Sequence, residues 1–104
     1  MAFERISFSE LWDWDENPIL EGYYVGKKDD VGENHSSIYQ IEVDSGEIVE
    51  FWDSTVLNSQ FAMIRLGTRV KIEYKGLVDS PNRKGKQYKN FEVMQDKELM
   101  KDGF

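Results

Sequence analysis

The sequence lacks several of the residues on which small scaffolds and enzymes depend. It has no cysteine, which excludes a disulfide framework, a cysteine-ligated zinc site and thiol catalysis. It has two prolines and one histidine, and no run approaches the ~18 consecutive apolar residues of a membrane span. The N-terminus, MAFERISFSELWDWDE, has no apolar core of the signal-peptide kind. We therefore expect a cytoplasmic protein, in the host cytoplasm if its source is viral.

Catalytic residues are also scarce. His35, the single histidine, stands in a polar stretch without a local partner for a base or a metal. The acidic pairs Asp13 with Asp15 and Asp29 with Asp30 carry little weight, because twenty of 104 residues are acidic. No glycine-rich phosphate loop occurs. We predict that the protein is not an enzyme and that it uses no metal or cofactor.

Length and aromatic content indicate one folded domain. A chain of 104 residues matches a single domain, and 13% aromatic residues are too many for a disordered acidic chain. We predict an N-terminal extension at 1–17, a barrel at 18–95 and a C-terminal tail at 96–104. Ser7 and Glu10 have capping-box spacing, so the extension is expected to form one short helix.

The pattern after Pro18 predicts five strands and one helix. Strands are expected at 19–27, 37–43, 47–52, 68–78 and 86–95, with a polar loop at 28–36. Asp53 or Ser54 is expected to cap a helix that carries Leu57, Phe61 and Ile64 on one face and ends before Gly67. Five strands with a helix between the third and fourth predict an all-β protein with an OB-fold barrel. An SH3-like barrel usually lacks that helix, and a pleckstrin-type roll needs more strands.

Charge is unevenly distributed along the chain. The net charge is −7, but residues 1–53 carry −11 and residues 54–104 carry +4. The window 65–89 alone carries eight bases and two acids, which gives +6. Such asymmetry is a hint of a polyanionic partner, and a solvated basic face is the alternative.

Bases alternate with aromatic residues in the second half of the chain. Single-stranded nucleic acid offers phosphates to Lys and Arg and unstacked bases to flat side chains, so this pattern suits it. We expect the face of strands two and three, with the loops at 28–36 and 79–86, to form the binding surface. The bases expected to contact phosphates are Lys27, Lys28, Arg69, Lys71, Lys75, Arg83, Lys84, Lys86 and Lys89.

Three aromatic residues are expected to stack on bases. Trp52 lies on the outer face if Val49 and Phe51 face the core, although a reversed strand would bury it. Tyr88 has the opposite alternation to Phe91 and is therefore expected to point outward. Tyr23 and Tyr24 are adjacent and must point to opposite faces, and we expect Tyr23 to be the exposed one. Core positions are expected for Tyr39, Phe61 and Tyr74, whereas Trp12 and Trp14 are expected to pack the extension onto the barrel.

From Ile19 to Val93 the chain resembles the OB-fold single-stranded-DNA-binding proteins of bacteriophages and related small replication proteins. The resemblance lies in LGTRVKIEYKG at 66–76, the basic gap at 79–85 and GKQYKNFEV at 85–93. It implies sequence-independent binding of single-stranded DNA in replication, recombination or repair, often by a homo-oligomer. It also implies a partner-binding tail, for which Asp102 and the terminal Phe104 are the matching residues.

The predicted function is therefore single-stranded DNA binding by a basic groove and stacked aromatic residues, with RNA left open as a ligand. The alternative is a small β-barrel adaptor for protein partners, such as a phage structural or host-interaction module. Its acidic face would then form the interface.

Overall fold

The structure is a computed structural model that describes residues 11–81 and 84–101. It is a mostly β protein with five strands and one short helix in the predicted order. The elements are β1 (Ile19–Val31), β2 (Ser36–Glu42), β3 (Ile48–Trp52), α1 (Thr55–Phe61), β4 (Thr68–Asp79) and β5 (Gln87–Met100).

The five strands form one antiparallel sheet in the order β3-β2-β1-β4-β5. Within the described residues the two edge strands, β3 and β5, do not pair, so the sheet is not closed. Other groups occupy the two edges. Trp12 N donates to Glu50 O of β3 at 2.8 Å, while the Gln60 side chain bonds Phe91 O and Val93 N of β5, each at 2.6 Å. Backbone groups that would otherwise require a strand partner are thereby satisfied.

One face of the sheet forms the core together with α1. The strands alternate, as the sequence predicted, so that every second side chain is withdrawn from water. The core residues are Leu20, Tyr24, Tyr39, Ile41, Phe51, Leu57, Phe61, Val70, Ile72 and Phe91. Tyr39 is 2% exposed, and its hydroxyl donates to Asn58 Oδ1 at 2.6 Å. Burial raises the pKa of Tyr39 to about 12, so the hydroxyl stays protonated.

The N-terminal segment packs where the two sheet edges approach each other. Trp14 contacts Phe51 of β3 and Phe91 of β5 edge-to-face, with ring centroids 5.4 and 5.1 Å apart. Trp12 in turn meets the Trp14 ring at 6.2 Å. The prediction that both tryptophans pack the extension onto the sheet is confirmed. We call this region, between β3 and β5, the seam.

Of the two predicted helices, one lies mostly outside the described residues and the other is shorter than expected. The N-terminal helix lies outside the described residues up to residue 10, and from Leu11 the chain forms a bridge with Glu50 and then a turn. Ser54 caps α1, and its Oγ accepts from Leu57 N at 3.2 Å. The helix ends at Phe61 rather than reaching Ile64, because Ala62 closes it and a turn follows. Gly67 has the left-handed φ of 92° expected of a cap, but it precedes β4 and donates to Tyr24 O instead.

Two strands are longer than predicted. β1 continues into the expected loop and ends at Val31. This part of the strand has little β propensity, and a side-chain contact stabilises it. Ser37 Oγ donates to Asp29 Oδ1 at 2.7 Å, which lowers the pKa of the Asp29 carboxyl. A bulge with Asp30 at φ 59° accommodates the change of register. β5 runs beyond Gln95 to Met100, into the segment assigned to the tail. There Lys101 N donates to Gly67 O at 2.8 Å, a long-range contact that the local sequence does not encode.

Side-chain orientation follows the predicted alternation, with two exceptions in burial, Ile38 and Glu50. Ile38 alternates with the core residue Tyr39 and is nevertheless only 9% exposed. Tyr24 is buried and Tyr23 half-buried on the outer face, Tyr39 and Phe61 lie in the core, and Tyr74 packs partly buried against it. Glu50 has the outward direction expected of it, yet it is only 7% exposed. Gln40 Nε2 donates to its carboxylate at 2.9 Å and Lys28 lies 3.3 Å from it, and these partners compensate the burial of the charge.

Candidate functional site

Three grooves with shared lining residues run along one end of the sheet. The first, of about 160 Å³, lies between the turn after β1 and Trp52. The second, also about 160 Å³, follows the seam from Trp52 to Lys89. The third, about 560 Å³, lies between the start of α1 and Tyr88. Because Trp52 lines the first two, and Ser54 and Lys89 line the last two, we treat the three as one surface, the groove.

The end of β3 positions Trp52. The residue is the last of the strand, pairs with Ile38, and remains 43% exposed. Directly after it, Asp53 N donates to Ser37 O at 2.9 Å and Ser54 begins the helix. The backbone on the C-terminal side of the ring is therefore held by a strand contact and a helix cap. The half-exposed ring is therefore carried on a well-supported backbone position.

The hairpin of β4 and β5 positions the other end of the groove. Tyr88 and Lys89 are paired with Val78 and Leu77, close to where β5 begins, and Tyr88 is 37% exposed. Ser80 N donates to Lys86 O at 2.8 Å across the base of the turn. Lys84 and Lys86 are exposed on this turn. Arg83, the remaining base predicted here, lies outside the described residues.

The basic residues predicted to contact phosphates fall into two groups, those without and those with a salt bridge to a described carboxylate. Within 11–81 and 84–101, Lys71, Lys84, Lys86 and Lys89 make no salt bridge with a described residue. Lys28 lies 3.3 Å from Glu50. Lys27 lies 3.4 Å from Asp29, with its ammonium 5.4 Å from the Tyr39 ring centroid.

Lys75 is neutralised locally as well. Its ammonium lies 3.2 Å from Glu73 and 3.4 Å from Glu92, and these carboxylates raise the pKa of the lysine. A bulge between Tyr74 and Gly76 sets Lys75 apart from the regular ladder of β4. The positive charge that the sequence assigns to the fourth strand is thus partly cancelled within the sheet.

Arg69 and Tyr23 form a separate cluster away from the groove. The Arg69 guanidinium donates to Glu21 at 2.7 Å and to Asp44 at 3.0 Å, and it lies 5.0 Å from the Tyr23 ring centroid. Its side chain is only 14% exposed. The two carboxylates raise the pKa of the guanidinium, and Arg69 lowers the pKa of Asp44. We call these four residues the Arg69 cluster.

The structure thus separates residues that the sequence grouped into one surface. Tyr23 pairs with Glu42, at the opposite end of β2 from Ile38, which pairs with Trp52. Lys71 lies beside the Arg69 cluster and lines a different groove, of about 220 Å³, with Met94 and Leu99. Trp52, Tyr88 and Lys89 line the groove. Asp102 and Phe104 of the predicted tail interface lie outside the described residues.

The wall of the groove beside Trp52 comes from the segment 28–36, which was expected to flank the binding surface although none of the residues of this wall was predicted individually. Gly32, Glu33 and Asn34 were part of the predicted polar loop, and no pattern in KDDVGENHS marks them. They reach Trp52 because β1 continues to Val31 and turns there. Ser54 was recognised as a helix cap but not as a groove residue.

Metal-binding clusters and membrane-spanning helices are absent from the part of the chain that the structure describes. Among the residues at 11–81 and 84–101, no group of three or more His, Asp or Glu side chains is arranged to hold a metal ion. Over the same ranges, no helix has the length and apolar character needed to cross a bilayer.

Comparison with known proteins gives no assignment. No family model matches the chain, and no curated protein or solved structure is significantly similar to it. The function must therefore be argued from the groove itself.

Proposed function

We propose that this chain is an OB-type protein that binds single-stranded nucleic acid, DNA in the first instance, along the groove. The observation that carries the proposal is that two half-exposed aromatic rings, Trp52 and Tyr88, line the same run of grooves as Lys89, which has no ion pair with a described residue. A protein that binds single strands of any sequence requires aromatic rings on which unstacked bases can stack and cations beside them that contact the phosphates.

The topology supports an OB-type barrel whose closing ladder is replaced. In the OB-fold five strands close with a helix between the third and fourth, and the ligand lies on strands two and three between two loops. Here α1 follows β3, and the sheet order brings β3 and β5 to opposite edges. Trp14 spans those edges. We regard the tryptophan as filling the position of the missing β3–β5 ladder.

Electrostatics support entry of phosphates from the hairpin side. Lys84, Lys86 and Lys89 are exposed and make no ion pair with a described residue. When these lysines neutralise phosphates of a single strand, the counterions held by those phosphates are released. The free energy gained from this release depends on the salt concentration. At the opposite end of the groove, Lys28 is paired with Glu50 and contributes less net charge.

The test is salt-dependent binding of a fluorescein-labelled dT oligonucleotide, followed by anisotropy and by Trp fluorescence. We expect quenching and a slope of log Kd against log salt of about 2, since each neutralised phosphate of a single strand contributes about 0.7. The double variant Lys86→Glu, Lys89→Glu is expected to abolish this binding. The matched control, Lys71→Glu with Lys97→Glu, makes the same charge change outside the groove and is expected to retain most of it. Absence of binding by the parent protein at low salt contradicts the proposal.

A second candidate function, the protein adaptor, is favoured by the internal neutralisation of the bases. Lys27, Lys28, Arg69 and Lys75 are all paired with carboxylates, so four of the basic residues expected to contact phosphates are already neutralised within the protein. A nuclease-treated pull-down separates the two candidates. A partner retained after nuclease treatment, together with no oligonucleotide binding, supports the adaptor.

A further inference from the structure

The part of the groove between the turn after β1 and Trp52 has the properties of a pocket for one small ring. It holds about 160 Å³, well below the roughly 300 Å³ at which pockets for drug-sized ligands begin. Its lining residues are Val31, Gly32, Glu33, Asn34, Ser36 and Trp52. We refer to it as the Trp52 pocket.

The wall of the Trp52 pocket is held in shape before any ligand arrives. His35 N donates to Gly32 O at 3.3 Å across the turn, and the His35 ring contacts the Asp30 carboxylate. Gly32 has a φ of 76°, and a Cβ at that position would lie 4.0 Å from Cη2 of Trp52. A larger side chain there would reach the ring, so glycine both permits the turn and keeps the pocket open.

Charge indicates which part of a nucleotide this pocket accepts. Glu33 lines it and makes no salt bridge with a described residue, so a phosphate would meet like charge. A neutral base can enter, lie against the Trp52 ring and present its polar edge to Glu33 and Asn34. The phosphates then follow the lysines on the hairpin side of the groove.

The chemistry of Glu33 distinguishes among bases. An ionised carboxylate only accepts hydrogen bonds, and it pairs well with the exocyclic amino group of cytosine. Uracil and thymine present a carbonyl oxygen at that position, which repels the carboxylate, so that only the adjacent N3–H could donate to it. Purines carry two rings, and the small volume favours one.

We infer that the Trp52 pocket binds a single cytosine base, stacked on Trp52 and recognised through its amino group by Glu33. The inference rests on the proposed function, and it adds a base preference to a binder otherwise indifferent to sequence. Asn34 supplies an amide that can meet the neighbouring ring nitrogen or carbonyl of the same base.

The test compares oligonucleotides of deoxycytidine and deoxyuridine of equal length, at neutral pH and moderate salt, by anisotropy. The two bases have nearly the same shape and differ along one edge, where cytosine has an amino group and an unprotonated N3 and uracil has a carbonyl and N3–H. We expect the deoxycytidine strand to bind about tenfold more tightly, the size of one good base contact. In Glu33→Gln, whose amide can donate or accept, the ratio is expected to fall close to one. Glu47→Gln removes the same charge at the β2–β3 turn, at the other end of the hairpin, and should keep the parental ratio.

The outcomes separate this inference from the function on which it rests. Equal binding of both strands, with quenching of Trp fluorescence, overturns the cytosine pocket and leaves single-strand binding intact. A cytosine preference that persists in Glu33→Gln also overturns it, because the discrimination then lies elsewhere. No binding of either strand by the folded protein overturns both proposals.

Discussion

The groove and the Arg69 cluster contain the same kinds of residue and differ in what surrounds them. At the groove, Trp52, Tyr88 and Lys89 face open space, and no carboxylate of the described chain pairs with the lysine. In the Arg69 cluster the guanidinium already has two carboxylates and an aromatic ring as partners. A lysine or arginine beside an aromatic residue is thus available to a ligand only where no carboxylate of the protein already pairs with it. The three predictions that follow use this contrast.

The largest effect is expected from removing one aromatic ring from each region. Trp52→Ala should weaken binding of a single-stranded oligonucleotide about tenfold or more, since a stacked base contributes roughly 1–3 kcal/mol. Tyr23→Ala should change the affinity by less than about twofold. A tenfold change would correspond to roughly 1.4 kcal/mol, so the expected change in binding free energy is a fraction of that value. Anisotropy titration of both variants measures the difference. Equal losses would mean that the two regions belong to one binding surface after all.

A smaller effect, on stability rather than binding, is expected for Arg69→Met. The substitution keeps most of the aliphatic length but leaves Glu21 and Asp44 facing each other without a cation. We expect the free energy of unfolding to fall by roughly 1–2 kcal/mol in urea denaturation, with oligonucleotide affinity unchanged. Lys97→Met, at an exposed position without an ion pair to a described residue, serves as the control and should stay within about 0.5 kcal/mol. A loss of affinity in Arg69→Met would contradict the division of the surface.

The smallest effect is expected from pH acting on Asp44. Arg69 holds the pKa of Asp44 below its ordinary value of 3.8, so the stabilisation is present above pH 3.8 and is lost as pH falls through the lower folded value. Asp44→Asn should therefore lower the Tm slightly at pH 7, and the difference from the parent should vanish near the acid limit. Thermal melts across this range test the sign. A Tm difference that grows toward acid would show that Asp44 is not held ionised by Arg69.

Local patterns were sufficient for the elements and for most orientations. Alternation placed Phe51, Ile72 and Phe91 inward and Trp52 outward, because each strand exposes every second side chain. Ser54 was recognisable as a cap from its position before an apolar helical face. The end of α1 was missed because Ile64 continues the apolar spacing although the chain has already turned at Ala62. β5 beyond Gln95 was missed because its pairing with Thr68 and Arg69 is long-range.

The sequence was sufficient to predict which kinds of residue form the candidate site, but not which individual residues belong to it. Trp52, Tyr88 and the basic hairpin could be selected from type and alternation. Arg69 could not be excluded, because Glu21 and Asp44 lie far from it in sequence and meet it only through strand pairing. For the same reason Gly32, Glu33 and Asn34 could not be singled out within the loop at 28–36, which was expected to form part of the binding surface. Their approach to Trp52 depends on how far β1 extends before it turns.

The sequence by itself determined that the chain forms five strands and one short helix in this order, because periodicity, turns and capping act over a few residues. Only the tertiary structure decided that the sheet stays open, with Trp12, Trp14 and Gln60 occupying its edges. It likewise decided which cations are neutralised. Ion pairing depends on distances of a few ångströms between residues remote in sequence, so composition reveals the number of charges and the fold reveals which of them face a partner.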